Sequence, residues 1–259
     1  MSQIAAAFKP GYKALIAYLT VGYPDPEATE KAAIALAGNG VDIIELGIPF
    51  SDPLADGTTI QQASHRALQS GVSLQTCFEM AEKLHREIAT PLVFMTYYNP
   101  VYNFGLDAFC RQCAEIGVSG LIVPDLPPEE GQELEAVTRK SRLDLIYLLA
   151  PTSHADRIKL VAERSRGFIY LVSVTGVTGA RDSLPDNLEA FITRVRKVTD
   201  KPLCIGFGIS TAEQARQIAG MADGVIVGSR IIQLIEADNS MSALTDFTRQ
   251  LRQALNQSG

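Results

Sequence analysis

A single (β/α)8 TIM barrel with a short extra N-terminal helix is the fold that this sequence of 259 residues predicts, over residues 1–259 as one domain. Two observations carry it. The first is a recurrence of eight short runs rich in Val, Ile, Leu and Tyr, at 15–20, 41–46, 92–97, 118–123, 143–149, 168–172, 203–206 and 224–227. Runs that are apolar along their length mean burial on both faces, as in a parallel sheet covered by helices. The second is the helical periodicity between them, at 27–37, 78–88, 129–139, 155–163, 188–198 and 212–219. Eight strands alternating with helices in about 250 residues is the count of such a barrel. An open doubly wound sheet gives the same alternation. Eight units, and no GxGxxG after the first strand, favour the closed form.

In chain order, residues 2–8 predict a short helix across the bottom of the barrel. One gap, between the second and third strands, is about twice as wide as most others. After the third strand, Leu106, Phe109, Cys110, Cys113 and Ile116 follow i, i+3, i+4, i+7, i+10, the buried face of an amphipathic helix. The CxxC there reads as core packing, since no second pair completes a zinc site. A last helix over 242–253 closes the ring. No linker or low-complexity segment interrupts the chain.

Composition narrows the function classes. The chain is 46% hydrophobic and 20% charged, ordinary for a globular protein with one large core. No apolar run approaches the ~20 residues of a membrane span, and residues 4–8 are too short and lack the basic leader of a signal peptide. With 23 basic and 29 acidic residues the formal charge is −6, and no basic run exists, which disfavours nucleic acid as a ligand. An anionic ligand must then be held by local backbone dipoles or a local Arg. Four cysteines do not make a disulfide framework in so long a chain, and His65, His85 and His154 read as solvated. The cytoplasm is the expected compartment, with no membrane partner.

In such barrels the chemistry lies in the loops after the strands. After the second strand comes Glu45-Leu-Gly-Ile-Pro-Phe-Ser-Asp-Pro-Leu-Ala-Asp-Gly57. Glu45 ends an otherwise apolar strand, where desolvation raises a carboxyl toward acid–base duty. Asp56 lies in the following loop, and two carboxyls in different environments can divide acid and base roles. The competing readings are a buried partner for Glu45 and a turn- or helix-capping role for Asp52 and Asp56. Asp125, in Val-Pro-Asp-Leu-Pro, is a rival carboxylate. Further on, Thr175-Gly-Val-Thr-Gly179, Gly206-Phe-Gly-Ile-Ser210 and Gly228-Ser-Arg230 form three glycine-bearing loops. Helices starting at Ser210 and Ser229 would aim their positive ends inward, and these loops together point to a phosphate site. The loop 174–185 reads as a lid. Tyr18, Tyr98, Tyr170 and Phe207 suggest a flat apolar ligand beside the phosphate. The residues alone thus describe a barrel enzyme working by two carboxylates on a phosphate ester with a hydrophobic part; a phosphate-sugar isomerase fits this much too.

The Glu45–Gly57 stretch, with Thr59-Ile-Gln61 after it, closely resembles the signature of the tryptophan synthase alpha chain family. Gly176-Val-Thr-Gly179, Gly206-Phe-Gly-Ile-Ser210 and Val227-Gly-Ser229 match its later loops in order, and the resemblance runs from Thr20-Val-Gly-Tyr-Pro24 to the last strand. It implies a lyase of tryptophan biosynthesis that cleaves indole-3-glycerol phosphate to indole and glyceraldehyde 3-phosphate by a retro-aldol step. Glu45 then matches the main acid–base carboxylate and Asp56 the carboxylate that accepts the indole N–H. Tyr170 matches a tyrosine near the general acid. Thr178, Gly179, Phe207, Gly208, Gly228 and Ser229 fall on phosphate-loop positions, and Tyr18 on an aromatic position of the indole pocket. The resemblance also implies no cofactor in this chain, and a beta chain partner carrying pyridoxal phosphate in an α2β2 tetramer. A stand-alone indole-releasing lyase, and a non-catalytic paralogue that only docks on a partner, are the alternatives; intact Glu45 and Asp56 argue against the second. Thr58 stands where the family usually has proline, and Val174 and Thr175 differ from some members.

Overall fold

The structure, a computed structural model, describes residues 2–172, 187–206 and 208–257. The strands are β1 (Ala14–Thr20), β2 (Ile43–Gly47), β3 (Leu92–Met95), β4 (Val118–Ile122), β5 (Asp144–Ile146), β6 (Leu148–Leu149), β7 (Ile169–Val172), β8 (Leu203–Gly206) and β9 (Gly224–Val227). All pairings are parallel, in the order β5-β4-β3-β2-β1-β9-β8-β7-β6. The ends of that order, β5 and β6, are separated along the chain by Tyr147 alone. The expected eight-stranded barrel is therefore present, with its fifth strand interrupted at one residue. Ile146 pairs with Ile122 before the break, and Leu148 with Tyr170 after it. Tyr147 has no register partner of its own: its carbonyl still accepts from the Tyr170 amide at 3.1 Å, but its donors are used elsewhere. Its amide donates to Ser165 Oγ at 3.1 Å and its phenol to Glu135 Oε1 at 2.8 Å.

The helices are α1 (Pro26–Gly38), α2 (Thr58–Gln69), α3 (Leu74–Glu87), α4 (Tyr98–Phe104), α5 (Leu106–Glu115), α6 (Gln132–Lys140), α7 (Ala155–Arg164), α8 (Leu188–Arg196), α9 (Ala212–Ala219), α10 (Ser229–Ala237) and α11 (Ser242–Asn256). Local chemistry sets their starts. Asp25 accepts from the Ala28 amide with Pro26 in the first turn of α1, and Ser73 and Thr76 form a reciprocal capping box on α3. The wide gap between the second and third strands holds α2 and α3. Thr58 is the first residue of α2, a position where proline is favoured but not required. The N-terminal helix is shorter than expected, a single 3-10 turn at Ala5–Ala7.

Alternation along the strands sorts side chains between two cores. On β2, Ile44 and Leu46 join the shell between sheet and helices, where Phe78 of α3 meets Phe94 and Phe109. Each fully buried side chain of this size contributes about 1.5–3 kcal/mol. Cys110 and Cys113 sit in that shell, so the CxxC is packing, with both thiols pushed up by burial. Ile43 instead faces the barrel interior with Ile16, Val93, Ile122, Phe168 and Ile226, and Ile4 plugs this core from below. Two residues beyond Ile43 on the same face comes Glu45. His65, His85 and His154 are exposed, as expected, and no helix among the described residues is long and apolar enough to cross a membrane.

Candidate active site

The pleat that carries Ile43 inward carries Glu45 inward as well, one layer nearer the C-terminal mouth. Its side chain is fully buried. Neither carboxyl oxygen has a hydrogen-bond partner among the described residues, so the buried-ion-pair reading fails. Burial alone pushes its pKa to about 8. A carboxyl in such surroundings holds its proton at neutral pH because ionising would place an unpaired charge in an apolar interior.

A cavity of about 390 Å³ opens at the C-terminal ends of the strands; Glu45 is not in its lining, but its register partner Tyr18 is. Asp56 lines it from the loop between β2 and α2. Burial lifts its pKa to about 6, against the opposing effect of a hydrogen bond from the Tyr97 phenol at 3.1 Å. Tyr18 and Tyr170 line the same cavity, on β1 and β7. Both phenols are held well above their ordinary pKa, first by burial and then by the charges of Asp56 and Glu45, so the four groups share one electrostatic neighbourhood. Room for the two rings comes from glycines. A Cβ on Gly47 would collide with the Tyr18 hydroxyl, and one on Gly206 with that of Tyr170. Gly206, expected as a phosphate-loop glycine, thus has a packing duty.

Gly208, Gly228 and Ser229 also line the cavity. Gly208 has a φ of 61°, the left-handed region that glycine adopts without strain. Ser229 opens α10, whose first-turn amides lack intrahelical partners and face the cavity with the positive end of the helix dipole. The second expected helix start differs. α9 begins at Ala212 under a Thr211 cap, and the Ser210 amide donates to Gln214 Oε1 at 2.8 Å, so that start is satisfied within its own turn. Thr178, Gly179 and Phe207, and the expected lid at 174–185, lie outside the described residues.

Several expectations are corrected. Tyr98 is not a cavity residue; it stands on α4 with its ring 5.9 Å from that of Tyr102. Asp125 does not line the cavity either: its Oδ1 accepts from the Tyr98 amide at 2.9 Å, a structural task at the start of α4. Asp52 is exposed and bonded to Ser51. Conversely, sequence reasoning misses three polar residues of the site. Ser153 and Arg157 line the cavity, and Tyr97 stands behind the lining, bonded to Asp56. Arg157 pairs with Glu129 at 2.9 Å. In the sequence Tyr97 reads only as the end of an apolar run; the break to helix after it, at Asn99-Pro100, is the available signal.

Fold and site together define a parallel barrel with a buried, unpartnered carboxyl near the end of one strand, next to a cavity lined by a second carboxyl, two phenols and a helix start. Comparison with known proteins makes this specific. The family model "Tryptophan synthase alpha chain" matches residues 4–258. A protein of that name from Dehalococcoides mccartyi is 59% identical over 255 residues, covering 98% of this chain and 100% of the relative. A tryptophan synthase structure from Mycobacterium tuberculosis matches with a TM-score of 0.92 at 40% identity, over 98% of this chain and 96% of that one. Tryptophan synthase subunit alpha from Legionella pneumophila gives 0.90 at 35%, over 99% of each. The chain belongs to the tryptophan synthase alpha chain family, the lyase subunits of tryptophan biosynthesis.

Proposed function

We propose that this chain cleaves indole-3-glycerol phosphate to indole and glyceraldehyde 3-phosphate, with Glu45 as the acid–base group. The observation that carries the proposal is the buried, unpartnered Glu45 carboxyl with a pKa of about 8, paired in register with Tyr18, which lines a cavity together with Asp56. As the acid, Glu45 gives its proton to C3 of the indole ring. The ring becomes an electron sink, and Asp56 as carboxylate accepts the indole N–H and stabilises the positive charge there. Glu45, now a carboxylate, takes the proton of the glycerol hydroxyl next to the breaking bond. The carbonyl of glyceraldehyde 3-phosphate forms, the carbon–carbon pair returns to the ring, and Glu45 ends protonated as it began.

Tyr18 and Tyr170 supply flat apolar walls for the ring. Gly208, Gly228 and the first turn of α10 at Ser229 take the phosphate, with Thr178, Gly179 and Phe207 assigned to the same ligand from the family pattern. A beta chain bearing pyridoxal phosphate is the partner that consumes indole, in an α2β2 assembly. Supporting that face, Leu54 is 92% and Tyr102 63% exposed beside the mouth. The test is indole release from indole-3-glycerol phosphate by the purified chain, with and without added beta chain. Slow release that rises sharply on addition supports the whole reading. Fast release unaffected by addition leaves a stand-alone lyase, and no release in either case refutes the reaction.

A further inference from the structure

We infer that Tyr97 is a positioning residue for the reaction, whose phenol holds Asp56 over the cavity as a carboxylate. The inference rests on the role proposed for Asp56 and deepens it. The loop between β2 and α2 runs from Ile48 to Gly57 without regular structure, and Leu54 stands almost fully in solvent. The other contacts at Asp56 are made to its backbone: its amide donates to Pro53 O at 3.1 Å, and Gln61 Nε2 of α2 donates to its carbonyl at 2.9 Å. These locate the chain and leave the carboxyl free to rotate.

Tyr97 supplies what they lack. Its hydroxyl donates to Asp56 Oδ2 at 3.1 Å and accepts from the Ala55 amide at 3.0 Å, so one oxygen fixes two consecutive loop residues. The phenol is itself immobilised. The ring is 5% exposed and stacks on Phe50 with centroids 5.1 Å apart at 25°. The backbone at Tyr97 leads into α4, where the Tyr98 amide is held by Asp125 Oδ1 at 2.9 Å. Tyr97, after β3, thus ties two residues of the loop after β2, while Asp125, after β4, holds the amide of the residue that follows Tyr97. A donor aimed at a carboxylate favours its ionised form, and here it opposes burial, which drives Asp56 the other way.

Tyr97→Phe keeps the ring, the stack and most of the volume while removing both hydrogen bonds. In the full chain with its beta partner, kcat for indole release should fall about ten- to a hundredfold, since misplacing a reacting group by an ångström costs on that order. KM should change less, affinity for inorganic phosphate should hold, and the acid limb of the kcat/KM profile should move to higher pH. In an Asp56→Asn background the same substitution should have little further effect, because the two residues act through one bond. Turnover within twofold of the parent and an unmoved acid limb would overturn the inference. So would equal loss of phosphate affinity, or full loss persisting in the Asp56→Asn background, because these mark general disruption. An isotope-edited carboxyl titration of Asp56, parent against Tyr97→Phe, reads the contact without catalysis. An unshifted titration refutes the hydrogen bond, whereas a shifted titration with no indole release in the parent refutes only the proposed reaction.

Discussion

Tyr18 on β1 and Glu45 on β2 are register partners in the barrel ladder. The pairing places a carboxyl beside an aromatic ring at the top of an apolar core, and the negative charge of Glu45 adds to the rise in the Tyr18 pKa. Two groups that each disfavour the other's ionisation keep the pair neutral near pH 7.

Glu45→Gln should abolish indole release and raise stability in alkali. Between its ordinary value of 4.5 and about 8, the folded chain holds a proton that the unfolded chain has released. Stability therefore falls as pH rises through that window, and the loss is complete above about 8. Gln carries no such loss. The variant should exceed the parent by on the order of 2–4 kcal/mol in mild alkali and match it in acid below the ordinary carboxylate range, read by denaturant titration.

The pH profile of kcat/KM should be bell-shaped. Below about 6, Asp56 takes up a proton and no longer serves as a carboxylate acceptor. Above about 8, Glu45 loses the proton it must deliver. A rate that stays flat across both of these values would contradict both assignments.

Gly206→Ala should cost about 1–3 kcal/mol, because its Cβ is driven into the phenol of Tyr170. Adding Tyr170→Phe should restore part of that stability, since the hydroxyl is the nearest obstruction while ring carbons lie at 2.8 Å. Thermal melts of the single and double variants decide it.

Asp125→Asn should retain turnover within about twofold, because an amide oxygen still accepts from the Tyr98 amide. Asp125→Ala should lose roughly 1 kcal/mol of stability, the usual loss for an uncapped helix start. A large loss of turnover with Asn would return Asp125 to the chemistry.

The strands are legible in the sequence because burial on both faces leaves unbroken apolar runs, and Glu45 because it violates that pattern at a strand end. The interruption at Tyr147 is not. Leu-Asp-Leu-Ile-Tyr-Leu-Leu reads as one strand, and what pulls Tyr147 away is Glu135, twelve positions earlier. Tyr97 is hidden for the same reason: its partner Asp56 is forty-one positions away, and an aromatic at the end of an apolar run reads as core. Tyr98 reads as a pocket residue only if the strand period is carried past Met95, where the chain already turns toward α4.

The interruption at Tyr147 bears on how wide a ligand the barrel can admit. Elsewhere around the ring each strand is tied to its neighbours, with five register pairs between β1 and β2. Along the fifth strand each half is tied on one side only, β5 to β4 and β6 to β7. Leu148 and Leu149, which line the cavity, therefore have one register partner each, whereas Glu45 has two, Tyr18 and Val93. Displacing the wall at Leu148 breaks one ladder and displacing Glu45 breaks two. Adaptation to a bulkier aromatic group therefore belongs to the fifth-strand wall, and fidelity of proton placement to the second strand.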